Sequence, residues 1–185
     1  MPETSPRPEP PAAPSPPPAF PPPPPGGLVW PALTGSPLLW SEAHRVRLGL
    51  VRQTFGAARA EGWAPRVIPY ATGREGRPDG ELLLLAEHAF ALGWLCGAAH
   101  WDEGGPLGRR AGWGEVTTAL RRGEAHAVLT YDERALSTQA VVYRDWVRMA
   151  TDRLWLLLHV RPLFTLRRAA PATGSPACAF EGDRP

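Results

Sequence analysis

The sequence predicts an α/β domain: a parallel-rich sheet of about four strands flanked by helices. Helical and strand patterns alternate from Gly80 to Val160, their connections are short, and glycines close two of the helices, at Gly93 and Gly123. Strands that alternate with helices of this length imply βαβ units, with a parallel sheet covered on both faces.

Residues 1–27 hold 14 prolines, including the run Pro21 to Pro25. Proline fixes φ and removes the backbone donor, so this arm is expected to be extended, solvated and disordered. Residues 28–63 form a transition segment and an N-terminal helix. Trp30, Leu38, Leu39 and Trp40 precede the helix, which Ser41 caps and Gly62 ends. The two tryptophans, outside regular elements, are candidates for partner contact. Val46, Leu50, Phe55 and Ala58 share one face; Arg45, Arg52 and Arg59 repeat on another, most simply as a solvated surface.

The α/β domain is expected over residues 64–168. Arg66 to Tyr70 reads as its first strand, and Pro69 argues for an edge position or a strand end. A loop follows to Gly80, with Asp79 able to cap the next helix, Leu82 to Trp94. Leu95 to Trp101 is the second strand, with Cys96 buried, and Trp113 to Arg122 the second α/β helix. Ala125 to Tyr131 is the third strand. Thr138 to Leu154 is a helix whose core stripe is Val142, Trp146, Met149 and Ala150, with an Arg148–Asp152 pair outside. Trp155 to Val160 is the last strand. Residues 169–185 lack periodicity and are expected to be disordered.

All 20 basic residues are arginine. Between Ser41 and Arg168, 18 arginines face 14 carboxylates, a mild excess of +4 that does not announce a nucleic-acid binder. Cys96 and Cys178 make a poor disulfide pair and fit a reducing compartment. No apolar run approaches the ~20 residues of a membrane span, and the N-terminus lacks a signal-peptide core, so a cytoplasmic location without membrane attachment is expected. No cofactor or metal motif emerges. Gly104, Gly105 and Gly108 before Arg109 and Arg110 read as an ordinary flexible loop more readily than a phosphate cradle. His100 and the other four histidines form no recognisable cluster. Trp94, Trp113, Trp146 and Trp155 are expected to fill cores.

Several pieces then fall in a telling order. A strand ends Tyr70-Ala71, and a helix ends Leu92-Gly93-Trp94. A loop runs from Asp102 to Arg110-Ala111-Gly112-Trp113, a helix ends Arg122-Gly123-Glu124, and a strand leads into Asp132-Glu133-Arg134. From about Val67 to Val160 this order resembles the catalytic domain of the resolvase/invertase (serine recombinase) family. The resemblance implies a resolvase-like fold and a site containing Tyr70, Arg110, Asp132 and Arg134. Family chemistry has a serine attack a DNA phosphodiester while arginines stabilise the charged transition state.

Here the nucleophile's position, four residues after Tyr70, is Arg74. Thr72 replaces an arginine, and Arg134 is recovered only with a one-residue insertion that puts Thr138 in a second arginine's place. The chain also shows no helix-turn-helix pattern and no cysteine pair for a zinc ribbon. The expectation is a DNA-associated domain that has lost strand cleavage, with Arg74, Arg77, Arg109 and Arg110 as DNA contacts and DNA, a recombinase or another protein as partner. The alternatives are a protein-interaction module using the proline-rich arm, or an enzyme of altered chemistry. The last requires Tyr70, Arg110, Asp132 and Arg134 to converge.

Overall fold

The computed structural model describes residues 32–163; Trp30, the proline-rich arm, Cys178 and the C-terminal tail lie outside them. Helix α1 spans Pro37–Glu61, followed by β1 (Arg66–Thr72), α2 (Asp79–Ala91), β2 (Leu95–Cys96), β3 (His100–Asp102), α3 (Ala111–Arg121), β4 (Ala127–Thr130), α4 (Ala140–Asp152) and β5 (Leu156–His159). The strands form one parallel sheet in the order β2-β1-β4-β5, with β3 also paired to β1. The α/β architecture expected from the alternation is the one observed.

Pro69 corrects one expectation and explains a detail. It lies in an interior strand, not at an edge: β1 pairs with β4 on one side and with β2 and β3 on the other. Val67 O and Gly73 N both bond toward the β2–β3 side, so strand alternation puts Pro69's missing donor there too. The partner chain is broken opposite it. Arg66 and Val67 pair with β2, Tyr70 to Thr72 pair with β3, and residues 97–99 between them are not in strand. The single strand expected from Leu95 to Trp101 is therefore two short ones. Cys96, expected to be buried, is exposed on this outer β2.

Strand alternation divides the core between the two faces of the sheet. Ile68, Tyr70, Val128 and Leu157 pack beneath α3 and α4, together with Trp40 and Ala43 at the start of α1. Val67, Ala127, Leu129, Leu156 and Leu158 pack with Leu85 and Ala89 of α2 and with Leu50 of α1. Helix α1, at 25 residues, supplies side chains to both cores. Between the two contact zones, Arg47 Nη1 donates to Leu157 O at 3.0 Å. Leu156 N and Val160 N bond to β4, so this carbonyl belongs to the open edge of β5, and Arg47 covers it.

Other corrections are local. Ser36, not Ser41, caps α1, its hydroxyl accepting from Leu38 N with Pro37 in the first turn. Trp40 is no partner-facing residue. It is 3% exposed, stacks at 4.9 Å on Tyr143, and donates Nε1 to Thr34 O. Val46 is exposed, and the buried stripe of α1 runs through Trp40, Ala43, Arg47 and Leu50 at three- and four-residue spacings. Asp79 makes no cap and pairs with Arg77 instead. The buried stripe of α4 is Ala140, Tyr143, Val147 and Ala150, leaving Val142, Trp146 and Met149 half-buried. Arg148 reaches Glu42 of α1 at 3.0 Å rather than Asp152.

Trp40→Ala should lower unfolding free energy by about 3–5 kcal/mol, the usual result of emptying a large aromatic site in a core. Urea denaturation checks this; a loss below ~1 kcal/mol would return Trp40 to the surface.

Candidate functional site

In open parallel sheets, ligand-directed side chains gather beyond the carboxyl ends of the strands. Tyr70 near the end of β1, Asp102 at the end of β3 and Asp132 just after β4 all stand at that edge. Tyr70 Oη donates to Asp102 Oδ2 at 2.9 Å. The same carboxylate accepts Gly112 N and Trp113 N at 2.9 Å each, so it also caps α3, where the helix dipole favours negative charge. Gly112 is required by this approach: a Cβ there would lie 2.5 Å from Trp101 O and 3.0 Å from Asp102 Oδ2. The Arg110-Ala111-Gly112-Trp113 spacing thus has a mechanical cause.

Arg110 sits one residue before α3, which aims its guanidinium back across the edge. Its Nη1 donates to Tyr70 Oη at 3.2 Å and to Ala135 O at 2.6 Å, and its Nε donates to Gly105 O at 2.8 Å. Burial, helped by the negative charge of Asp102, pushes the Tyr70 phenol far above its usual range despite Arg110. Tyr70 is therefore a neutral hydrogen-bonding post.

Asp132 caps the 3-10 turn Glu133–Ala135 by accepting from Arg134 N at 2.9 Å. It also receives Arg134 Nε and Nη2 in a two-pronged pair. Ala135 O, the acceptor for Arg110, belongs to the same turn, so the four residues expected to converge do so through one bonded chain. From α2, half-buried Glu81 joins them. Burial first, then the Asp132 charge, raise its carboxyl from 4.5 to about 7, with Arg134 opposing.

The residues expected to contact DNA occupy loops of adjacent strands at this same edge. Arg74 and Arg77 lie in the β1–α2 loop, and Arg109 in the β3–α3 loop; all three are exposed. Arg77 is paired with Asp79 at 2.9 Å. The β1–α2 loop turns sharply, since a Cβ on Gly73 would meet Gly76 O at 2.0 Å, and Gly73 N holds Asp102 O at 2.9 Å. His100 meets Glu115 at 2.7 Å, and among the described residues no three His, Cys, Asp or Glu could hold a metal ion.

Sequence reasoning named Asp102 only as part of a loop and passed over Glu81. It also missed a polar cluster inside the core. His159 meets Thr130 Oγ1 at 2.7 Å and Tyr143 Oη at 2.8 Å, while His44 Nδ1 meets Arg47 Nη2 at 3.2 Å. Burial, then the Arg47 charge, lower His44 from 6.5 to about 4, and His159 is lowered by the same causes. Two of the histidines do therefore cluster, although one is on a helix and one on a strand 115 positions later.

No protein-family model and no curated protein matches this chain. Among solved structures, it is similar to the N-terminal catalytic domain of TP901-1 integrase, at 17% identity over 51% of this chain and 75% of that one, with a TM-score of 0.44. It is also similar to the C-terminal catalytic domain of ISC1926 TnpA, an IS607-like serine recombinase. That match is 14% identical over 53% of this chain and 72% of that one, with a TM-score of 0.45.

Glu81 sets a pH dependence with a definite sign. Its folded-state pKa is about 7 against 4.5, so its contribution to stability is complete below pH 4.5 and is lost as pH rises through 7. His44 acts oppositely, its contribution being complete above pH 6.5 and lost as pH falls through about 4. Glu81→Gln should therefore gain stability relative to the parent as pH rises from 4.5 to 8 in urea titrations. A difference that does not change with pH would place Glu81 in water.

Proposed function

We propose that this is a resolvase-like domain, related to the catalytic domains of serine recombinases, that associates with DNA and does not cleave it. One observation carries the reading: the site's arginines are turned inward onto protein acceptors. Arg110 donates to Gly105 O, Tyr70 Oη and Ala135 O, and the fork of Arg134 is closed on Asp132. A transition-state stabiliser has its donors aimed at where charge will develop. These donors already have oxygens.

The sequence supports the same reading. No serine occurs between Ser41 and Ser137, and Arg74 occupies the place where the resemblance puts the nucleophile. Thr72, the nearest hydroxyl, is half-buried at the end of β1. Two features support a phosphate-contacting edge: Arg74 and Arg109 are exposed on neighbouring loops, and among the described residues neither has an acidic partner such as Arg77 has in Asp79. Contacts of this kind bind the DNA backbone without reading sequence.

Fluorescence anisotropy of a mixed-sequence duplex with the full chain, across a salt series, tests this. Binding should weaken with a log–log slope near −0.9 per phosphate contacted. The double variant Arg74→Glu, Arg109→Glu should flatten that slope by ~2 and weaken binding at least tenfold at low salt. No binding at low salt would remove the DNA role, and a covalent protein–DNA adduct would overturn the loss of cleavage.

A further inference from the structure

An open groove of about 190 Å³ runs between α3 and α4, lined also by Leu107, Gly108 and Arg110 ahead of α3. Three tryptophans line it, Trp113, Trp146 and Trp155, with Met149 beside them and Arg121 and Arg153 at the rim. Trp113 and Trp146 meet edge to face at 5.2 Å and 87°, and the Arg153 guanidinium lies 4.9 Å over Trp155. Trp113 is 3% exposed, and its indole Nε1 finds no acceptor among the described residues, an unusual state for a buried donor. Burial of this kind is costly unless something accepts the bond.

The groove offers indole edges, the thioether of Met149 and two exposed cations. An extended proline-rich chain answers each. Its rings pack on aromatic surfaces, its polyproline helix leaves its carbonyls free to accept from the Arg121 and Arg153 guanidinium groups, and it is ordered at little entropic cost. Acidic residues beside the prolines would face Arg121 and Arg153. This chain contains such a sequence: residues 1–27 carry 14 prolines, with Glu3 and Glu9 against the single Arg7.

We propose that the tryptophan groove between α3 and α4 binds a proline-rich segment, and that its ligand is the sequence of residues 2–25 from a second copy of this chain. The contact is head-to-tail, because groove and ligand are different surfaces. It borders the β3–α3 loop through Leu107 and Gly108 but uses neither Arg74 nor Arg109, and it stands whether or not DNA binds.

A synthetic peptide with the sequence of residues 2–25, which lacks tryptophan, is titrated into the full-length protein and read by tryptophan fluorescence. Sedimentation velocity of the full chain is followed over a concentration series. Gly114→Leu is the blocking variant: Gly114 lines the groove in α3, and a Cβ there meets nothing within 4 Å, so the substitution fills the groove without straining the helix. Arg121→Glu is a second variant, at an exposed position. The peptide should cause a saturable fluorescence change, and the full chain should associate more as concentration rises. Gly114→Leu should weaken both at least about tenfold, which is ~1.4 kcal/mol, with no loss of thermal stability, since leucine is the better helix former. Arg121→Glu should weaken both in the same direction. The proposal is overturned if the peptide produces no saturable change, if Gly114→Leu binds it equally well, or if the full chain stays monomeric while the peptide binds. A change caused by a single-stranded oligonucleotide but not by the peptide would make the groove a base-stacking site instead.

Discussion

The carboxylate of Asp102 is the constraint on which the sheet edge depends. It stands at the end of a three-residue strand that could not hold its place alone. Four attachments fix it: Tyr70 Oη from β1, Gly112 N and Trp113 N from α3, and Gly73 N on its backbone oxygen. Because α3 starts on this carboxylate, Arg110 is forced to leave the helix toward Tyr70 and Ala135. An acidic side chain at a helix N-terminus is favourable on its own terms. Here it also decides where the site arginine goes.

That arrangement bears directly on the proposed absence of cleavage. Convergence of Tyr70, Arg110, Asp132 and Arg134 would ordinarily favour catalysis. The direction of the donors argues against it. Each cation is matched by a nearby oxygen, so the cluster behaves as a fastening between β1, β3, α3 and the turn after β4. Hydrogen bonds to charged groups contribute roughly 1.5–3 kcal/mol apiece, enough for such a fastening to matter to a domain of this size. Residual perturbation rests on Glu81, whose raised pKa comes from burial beside Asp132 and is not evidence of chemistry by itself.

The fold was legible because its signals are local: strand-length aliphatic runs, helices closed by glycine, and short connections. What escaped was non-local. The break between β2 and β3 depends on Pro69 in a neighbouring strand, about 30 residues earlier, whose missing N–H faces it. No sequence pattern singles out Arg47, yet it covers the carbonyl of Leu157, 110 positions later. A cap at Ser41 leaves Trp40 outside regular elements, whereas Ser36 and Pro37 are the cap and first helical turn. In the site, Tyr70, Arg110, Asp132 and Arg134 were found through the order of motifs. Asp102 was not, since nothing in the sequence says that Tyr70, 32 positions away, would reach it.

The central claim is that Arg110 is a structural fastening. Catalytic groups are commonly held at a cost to stability, so their removal leaves a fold as stable or more so. Urea denaturation of Arg110→Ala separates the two cases. The fastening predicts a loss of about 2 kcal/mol or more, since Tyr70 Oη and the carbonyls of Gly105 and Ala135 lose their donor. Unchanged or increased stability would contradict it and return Arg110 to the role of a residue kept for chemistry.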